Sequence, residues 1–299
     1  SKIVPAFQYN TVDHPITPSR GKSFFFSTTF AGSFLGGNVN LIEPTISHTM
    51  FRAGLKKGHV IGYRVLGRLV AGYGGRSAPP FNRVYMGGEN DVRGFNIWGV
   101  SPMAFIASES AVPVLNDDGS ARLQRVVVDG QVSFQPVVQR VPTYQLIFPG
   151  GDTQAVANFE YRIPIFGPVT LAAFFDAGLN KFTLRKQLRM NQDRIDSLNF
   201  NHPSAGFDNR VLAAPGTEKL RTSTGLEMQI MMPVVNAPFR FYWAYNPTIV
   251  QEFLQPPVVL DRSAFPNQAT FFNSVATWGR ATPFFERRRT FRFTISRTF

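Results

Sequence analysis

Polar and apolar residues alternate with a period of two through segments of about ten residues, and this pattern constrains the fold more than any other feature. Residues 154–163 (QAVANFEYRI) place polar side chains on one face, except Val156, and apolar side chains on the other. Residues 221–232 (RTSTGLEMQIMM) and 239–246 (FRFYWAYN) repeat the arrangement. Period-two alternation is typical of half-buried β-strands. Ten residues is also about the length of a tilted strand that crosses a membrane.

Nine segments of the chain read as such strands. They are 3–11, 22–31, 39–49, 59–73, 154–163, 169–178, 221–232, 239–246 and 289–299. The third is the least regular, because Pro44 interrupts it and has no N–H for the strand ladder. Alternation alone fits a soluble sandwich or a membrane barrel, since both have one apolar and one polar strand face.

The connections between the strands distinguish these two folds. The short turns are at 12–21, 166–168 and 233–238, and the long segments are at about 74–152, 179–220 and 247–288. Outer-membrane barrels have short periplasmic turns and long extracellular loops, and long loops without secondary structure are unusual in compact soluble domains. We therefore predict an all-β fold, a transmembrane antiparallel β-barrel.

This reading also predicts the membrane topology. The three short turns should lie in the periplasm and the three long segments outside the cell. An impermeant label added to intact cells should reach only the long segments. Labelling of the 233–238 turn from outside would invert the topology.

Composition excludes several other classes of protein. Helical membrane spans are excluded because no apolar run approaches the ~20 residues that a helix needs. The absence of cysteine excludes disulfides and thiolate metal sites. The net charge of +12 comes from dispersed Lys and Arg residues rather than a basic patch, so we expect no nucleic-acid partner. The first ten residues carry no signal peptide, so for an exported protein we expect one upstream or already removed.

Nothing in the chain indicates catalysis. The four histidines are scattered without metal-ligand spacing, and no Ser or Asp arrangement suggests a triad: His14, His48, His59 and His202. Lipase, zinc-protease, phosphate-loop and dinucleotide motifs are also absent. We therefore expect no enzyme activity, no cofactor and no metal.

The longest connecting segment contains a recognisable motif. Residues 84–95 read VYMGGENDVRGF, and FFDAG follows two strands later at 174–178. The first segment resembles the hallmark of the BamA superfamily, which includes BamA, TamA and the two-partner secretion transporters. By this resemblance the motif Val92, Arg93, Gly94 and Phe95 lies in a long loop that folds back into the barrel lumen.

Both ends of the chain extend the resemblance. Phe291, Phe293, Ile295 and Phe299 are similar to the C-terminal β-signal by which outer-membrane barrels are recognised, although Arg297 interrupts their face. Near the start, TVDHPITPSRG resembles the family's periplasmic turn. Family barrels have sixteen strands preceded by POTRA domains. We therefore expect residues 1–299 to supply about nine C-terminal strands, without POTRA domains, and further strands to complete the barrel.

The resemblance makes Arg93 the candidate anchor of the long loop. A guanidinium has five donors in a planar fork that suits carboxylates. Glu160 and Asp176 lie on adjacent predicted strands and are the candidate partners, with Phe174 as a further lumen partner. The alternative is that Arg93 is a solvated loop residue and both carboxylates merely face the lumen. Trp243, Tyr245 and Phe299 are candidates for an aromatic girdle at the membrane interface.

The resemblance implies a function in outer-membrane protein assembly. A BamA-like barrel inserts other barrels by templating strands at a weak seam while thinning the bilayer locally. The partners would be outer-membrane lipids, unfolded β-barrel clients and accessory assembly subunits. Two alternatives stay open: protein translocation by a two-partner secretion or TamA-like transporter, and a passive porin.

Overall fold

The computed structural model describes residues 1–232 and 237–295, with Val128 described by its backbone only. The first strands are β1 (Lys2–Ile3), β2 (Ala6–Asn10), β3 (Gly21–Ala31), β4 (Leu41–Ala53), β5 (Val60–Leu69), β6 (Ala71–Gly72), β7 (Ala104–Pro113), β8 (Leu123–Val128), β9 (Gln131–Pro136) and β10 (Val138–Ile147). The remaining strands are β11 (Thr153–Phe166), β12 (Val169–Lys181), β13 (Leu212–Ala213), β14 (Arg221–Met232), β15 (Ala237–Thr248), β16 (Gln251–Leu254), β17 (Thr282–Phe285) and β18 (Arg289–Ile295). The α-helices are α1 (Gln192–Asn201) and α2 (Gln268–Trp278).

An antiparallel sheet of eleven strands, counted over the described residues, forms the body of the protein. Its order is β1-β3-β4-β5-β11-β12-β14-β15-β18, with β2 also on β3 and β6 also on β4. Since β1 and β2 form one interrupted strand, as do β5 and β6, these eleven strands occupy nine positions. The nine positions match the nine strands predicted from alternation, and the prediction is confirmed.

Prolines account for two irregularities of this sheet. The first strand breaks between β1 and β2 at Pro5, which has no N–H to donate. Pro44 lies inside β4, opposite Thr28 of β3. On its other side, the pairing of β4 with β5 starts only at Thr45, and the pairing with β6 stops at Ile42. The missing donor of Pro44 therefore falls in a gap between two ladders, and the strand tolerates it.

The sheet is open within the described part of the chain. No pairing among these residues joins β18 to β1 or β2. An unpaired strand edge in lipid leaves backbone groups unsatisfied at a cost of several kcal/mol each. We therefore still predict that further strands lie beside these edges in the membrane.

The two faces of the sheet have opposite chemistry. On β11, Asn158, Glu160 and Arg162 are buried on the inner face, whereas Phe159 on the outer face is 44% exposed. Phe175 of β12 lies directly opposite Phe159 and is also exposed. On the next three strands, exposed large side chains lie opposite one another on the outer face: Leu226, Trp243 and Phe291. A polar interior and an apolar exterior are typical of a barrel that faces lipid. Among the described residues, neither helix combines the length and the apolarity needed to cross a membrane.

The three long connecting segments, apart from residues 83–101, fold into a cap at one end of the sheet. Our expectation that these segments lack secondary structure is wrong, because they contain β7 to β10, β13, β16, β17 and both helices. β10, β7 and β13 form one sheet across two of the segments. All three segments supply its core, in which Phe105, Ala214 and Leu254 pack together. Each segment supplies only part of this core. The pattern of polar and apolar residues within one segment therefore does not predict the strands and helices of the cap.

Glu109 links β7 to the end of α1 in this cap. Its carboxylate lies 2.8 Å from Nη1 of Arg140 and 3.3 Å from Nε2 of His202. Burial raises the pKa of Glu109, but the hydrogen bond from His202 and the charge of Arg140 outweigh it, so the pKa lies below its ordinary value. The unfolded chain therefore takes up this proton at a higher pH than the folded chain.

The cap should loosen as the pH falls through the depressed pKa of Glu109. The contacts of Glu109 with Arg140 and His202 contribute to stability above the ordinary glutamate pKa. This contribution is lost below the pKa that Glu109 has in the folded protein. We expect the protection of the α1 amides, measured relative to the intrinsic exchange rate at each pH, to fall between roughly pH 5 and pH 3, the range in which a glutamate titrates. Glu109→Gln should remove this pH dependence. If α1 exchange in the variant depends on pH as it does in the unaltered protein, Glu109 is not the cause of that dependence.

Candidate functional site

Residues 83–101, named here the inner segment, lie against the polar face of the large sheet. Backbone bridges from Val84 to Gly151 and from Met86 to Val100 hold the segment in a folded-back path. Gly87 and Gly94 have φ values of +127° and +85°, in a region that favours glycine. The glycines of the motif therefore serve the sharp reversals of this segment.

Apolar side chains anchor part of the inner segment. Met86, Val92, Phe95 and Val100 form a buried cluster with Val156 of β11. Val156 is the exception in the polar face of its strand. The cluster explains this exception, because Val156 faces the apolar side of the inner segment rather than water.

Arg93 is buried, with 1% of its side chain exposed, and all of its nitrogen donors face carboxylates. Nε and Nη2 each lie 2.7 Å from an oxygen of Asp176, and the backbone N–H donates to Asp176 at 3.0 Å. Nη1 lies 2.5 Å from Glu160. The guanidinium carbon also lies 3.9 Å from the ring centre of Phe174. The structure thus brings Arg93 together with the partners named from sequence, and its role as an anchor stays a prediction.

The contacts of Arg93 belong to a larger buried charge network. Nη1 of Arg93 also lies 3.3 Å from Glu227 of β14. Glu227 makes two 2.7 Å hydrogen bonds with Arg240 of β15, and Arg162 lies 2.8 Å from Glu160. Three arginines thus face three carboxylates, and their formal charges cancel. Such a network is stable only while every member is paired.

Sequence reasoning missed Glu227, Arg240 and Arg162 as members of this network. All three lie on the polar faces of predicted strands, which is the signal that could have found them. Whether their side chains lie at the same height in the barrel as Arg93 depends on how neighbouring strands are aligned, that is, on the strand register. In the structure, Glu227 lies opposite Ala172 of β12, and Arg240 lies opposite Gln229 of β14.

Amide side chains bind the backbone of the inner segment from three strands. Asn158 of β11 donates to the carbonyl of Asp91 at 2.8 Å. Asn180 of β12 donates to the carbonyl of Val84 at 2.9 Å, and Asn246 of β15 donates to that of Gly94 at 3.2 Å. The inner segment is therefore held by hydrogen bonds at several points as well as by charge.

The FFDAG sequence contributes to this site through alternate residues. Phe174 and Asp176 face Arg93, whereas Phe175 is exposed on the outer face. Gly178 faces inward as well, and a Cβ placed there would lie 2.4 Å from Cγ2 of Val92. The glycine therefore leaves space for the first residue of the VRGF motif.

Gly178→Ala should displace the inner segment. The added methyl group overlaps Val92, and overpacking of this kind costs about 1 to 3 kcal/mol. Val92→Ala in the same chain should restore much of the lost stability, because it removes the overlapping methyl. Thermal unfolding in lipid would measure both variants. Equal destabilisation of the single and double variants would rule out this contact as the reason for the glycine.

The outermost strand β18 presents the predicted alternating aromatic face. Phe291, Phe293 and Ile295 are at least half exposed on the outer side, while Phe299 and Arg297 lie outside the described residues. Trp243 and Tyr245 of β15 are exposed on the same side. Their roles in a β-signal and an aromatic girdle stay predictions.

Comparisons with known proteins agree with this architecture. The BamA outer membrane protein assembly factor of Nitratidesulfovibrio vulgaris is 27% identical over 177 residues, covering 58% of this chain and 17% of that protein. A crystal structure of Haemophilus ducreyi BamA lacking POTRA domains 1–3 matches with a TM-score of 0.52 and 17% identity. That match covers 83% of this chain and 39% of the crystallised chain. The chain thus spans less than two thirds of either relative, and the crystal structure supports the barrel fold.

The family comparison covers the chain completely. The model of the Omp85 superfamily domain matches residues 1–299. This match agrees with the sheet of alternating strands, its apolar outer face and the folded-back inner segment. The chain is therefore a member of the Omp85 superfamily, an integral β-barrel protein of the outer membrane.

Proposed function

We propose that this chain forms the C-terminal part of a barrel that assembles and inserts other β-barrel proteins into the outer membrane. The observation that carries the proposal is the Arg93-bound inner segment beside the edge strand β18, whose outer side has no strand partner among the described residues. Family membership and the similarity to a BamA assembly factor support it. Outer-membrane lipids, unfolded barrel clients and accessory assembly subunits are the proposed partners.

The proposed mechanism depends on backbone pairing at the sheet edge. An edge strand presents a row of unpaired N–H and C=O groups, and an incoming extended chain can pair with them. Local thinning of the bilayer at the seam lowers the barrier to insertion. No covalent step is required, because strand pairing and burial of the client in lipid provide the free energy.

The inner segment argues against a passive porin. It occupies the polar face of the sheet from β11 to β18, where a porin needs an open water-filled channel. A two-partner secretion or TamA-like transporter would share the VRGF resemblance. The number of POTRA domains upstream of residue 1 discriminates that alternative.

Site-specific cross-linking tests the proposed pairing. The chain has no cysteine, so Phe293→Cys on β18 introduces a single thiol. Phe159→Cys on β11 is the matched control, since both side chains are about half exposed on the outer face. A client barrel with one cysteine in its last strand should cross-link to position 293 and not to position 159. Equal cross-linking at both positions, or none during insertion, would reject the mechanism.

A further inference from the structure

The inward-facing side chains of β18 all contact the inner segment. Oγ1 of Thr290 donates to the carbonyl oxygen of Gly94 at 2.8 Å. Arg292 donates to Oδ1 of Asn96, and Oγ1 of Thr294 donates to Glu89 at 3.2 Å. These are the inward positions of the strand, because its burial alternates along Arg289–Ile295.

β18 has few other supports in the part of the chain that the structure describes. It pairs with β15 on one side, from Arg289 opposite Tyr245 to Ile295 opposite Phe239. Its other side has no strand partner among the described residues. The inner-segment contacts are thus a second attachment for a strand that a complete sheet would hold on both sides.

The same stretch of the inner segment connects this attachment to the charge network. Arg93 is bound to β11, β12 and β14, and the next carbonyl, that of Gly94, accepts hydrogen bonds from both Asn246 of β15 and Thr290 of β18. A Cβ at Gly94 would lie 2.4 Å from Oδ1 of Asn246, so the backbone is packed closely against β15. Movement of Arg93 would therefore move the acceptor that holds Thr290.

A cavity of about 290 Å³ lies beside these contacts. Its lining includes Gly94, Asn96, Thr290 and Arg292. The inner segment and β18 are thus joined by individual hydrogen bonds across incompletely filled space rather than by a packed core. Such contacts can open without leaving a new apolar void.

We propose that residues 89–96 form a clasp that holds β18 in place and releases it when the inner segment shifts. Thr290, Arg292 and Thr294 are positioning residues in this clasp. Its consequence for assembly rests on the proposed function: a held β18 keeps its edge fixed, and a released β18 can bend toward an incoming strand. The clasp itself is a property of the barrel and can be tested without a client.

Hydrogen exchange of the intact protein in lipid nanodiscs tests the clasp. Thr290→Val and Arg292→Met remove the donors with little change in side-chain size. Each lost hydrogen bond should speed exchange of the β18 amides by about fivefold, while the β11 and β12 amides stay unchanged. Arg289→Met is the matched control, because Arg289 lies on the outer face of the same strand. Unchanged β18 exchange in the folded variants would overturn the clasp.

A double-mutant cycle separates the contact from a general loss of folding. Asn96→Ala removes the acceptor of Arg292 from the exposed side of the inner segment. If the contact is direct, Asn96→Ala combined with Arg292→Met should speed exchange no more than either change alone. Fully additive effects would contradict the contact. Because Asn96 is exposed, this variant remains informative even if Arg292→Met does not fold.

Client insertion provides the second measurement. The rate at which the reconstituted protein inserts a urea-unfolded small β-barrel should change at least threefold, a factor of the order expected for one lost hydrogen bond. Faster β18 exchange with an unchanged insertion rate would overturn the role of the clasp in assembly. Failure of the unaltered protein to insert any client would instead reject the proposed function, while the exchange results would still decide the clasp.

Discussion

Arg93→Ala should detach the inner segment from the barrel wall and abolish most of the proposed assembly activity. The change leaves Asp176 without its two guanidinium bonds and weakens the pairing of Glu160 and Glu227, all fully buried. Truncating one partner of a buried ion pair typically costs about 3 to 5 kcal/mol. Protease sensitivity of residues 83–101 in the folded barrel would report the detachment, and client insertion would report the activity.

We expect Arg93→Lys to fail as Arg93→Ala does. The guanidinium of Arg93 donates to both carboxylate oxygens of Asp176 and, at the same time, to one oxygen of Glu160. The ammonium group of a lysine is a single point of charge and does not have this planar fork of donors. Arg125→Ala is the matched control, since Arg125 is exposed on β8 in the cap. Full activity and a protected inner segment in Arg93→Lys would show that charge alone suffices, against the proposed anchor.

Glu227→Leu should have a comparable effect on barrel stability. Glu227 is fully buried and makes two hydrogen bonds with Arg240, so its loss removes a carboxylate and both of these bonds from a buried guanidinium. We expect a loss of about 3 to 5 kcal/mol, as for other broken buried pairs. Unfolding of the barrel in lipid by denaturant would measure the loss.

A second substitution, at Arg240, should rescue part of the stability that Glu227→Leu removes. Because replacing both members of a buried pair by apolar residues is often nearly neutral, Glu227→Leu with Arg240→Met should be more stable than Glu227→Leu alone. Glu252→Gln is the control, since Glu252 pairs with Lys219 where both side chains are at least one-third exposed. Exposed pairs contribute at most about 1 kcal/mol. If the double variant is less stable than either single variant, the two residues do not act as a pair.

Local sequence determined which segments of this chain form the barrel strands. Alternation predicted all nine strand positions, because in a membrane barrel each strand has one lipid-facing and one inward face along its whole length. The VRGF and FFDAG segments also led to Arg93, Phe174 and Asp176, and the polar face of residues 154–163 led to Glu160. The structure brings these four residues together. In these cases the signal lies within a strand or a short motif.

The tertiary structure decided the remaining members of the site and the fold of the cap. Glu227 and Arg240 join Arg93 only because the register of β12, β14 and β15 brings their side chains to one level. The cap forms because three segments far apart in sequence complete one another's sheet and core, as Phe105, Ala214 and Leu254 show. Strand register and shared cores depend on pairing between distant segments, and a periodic pattern within one segment carries no information about that pairing.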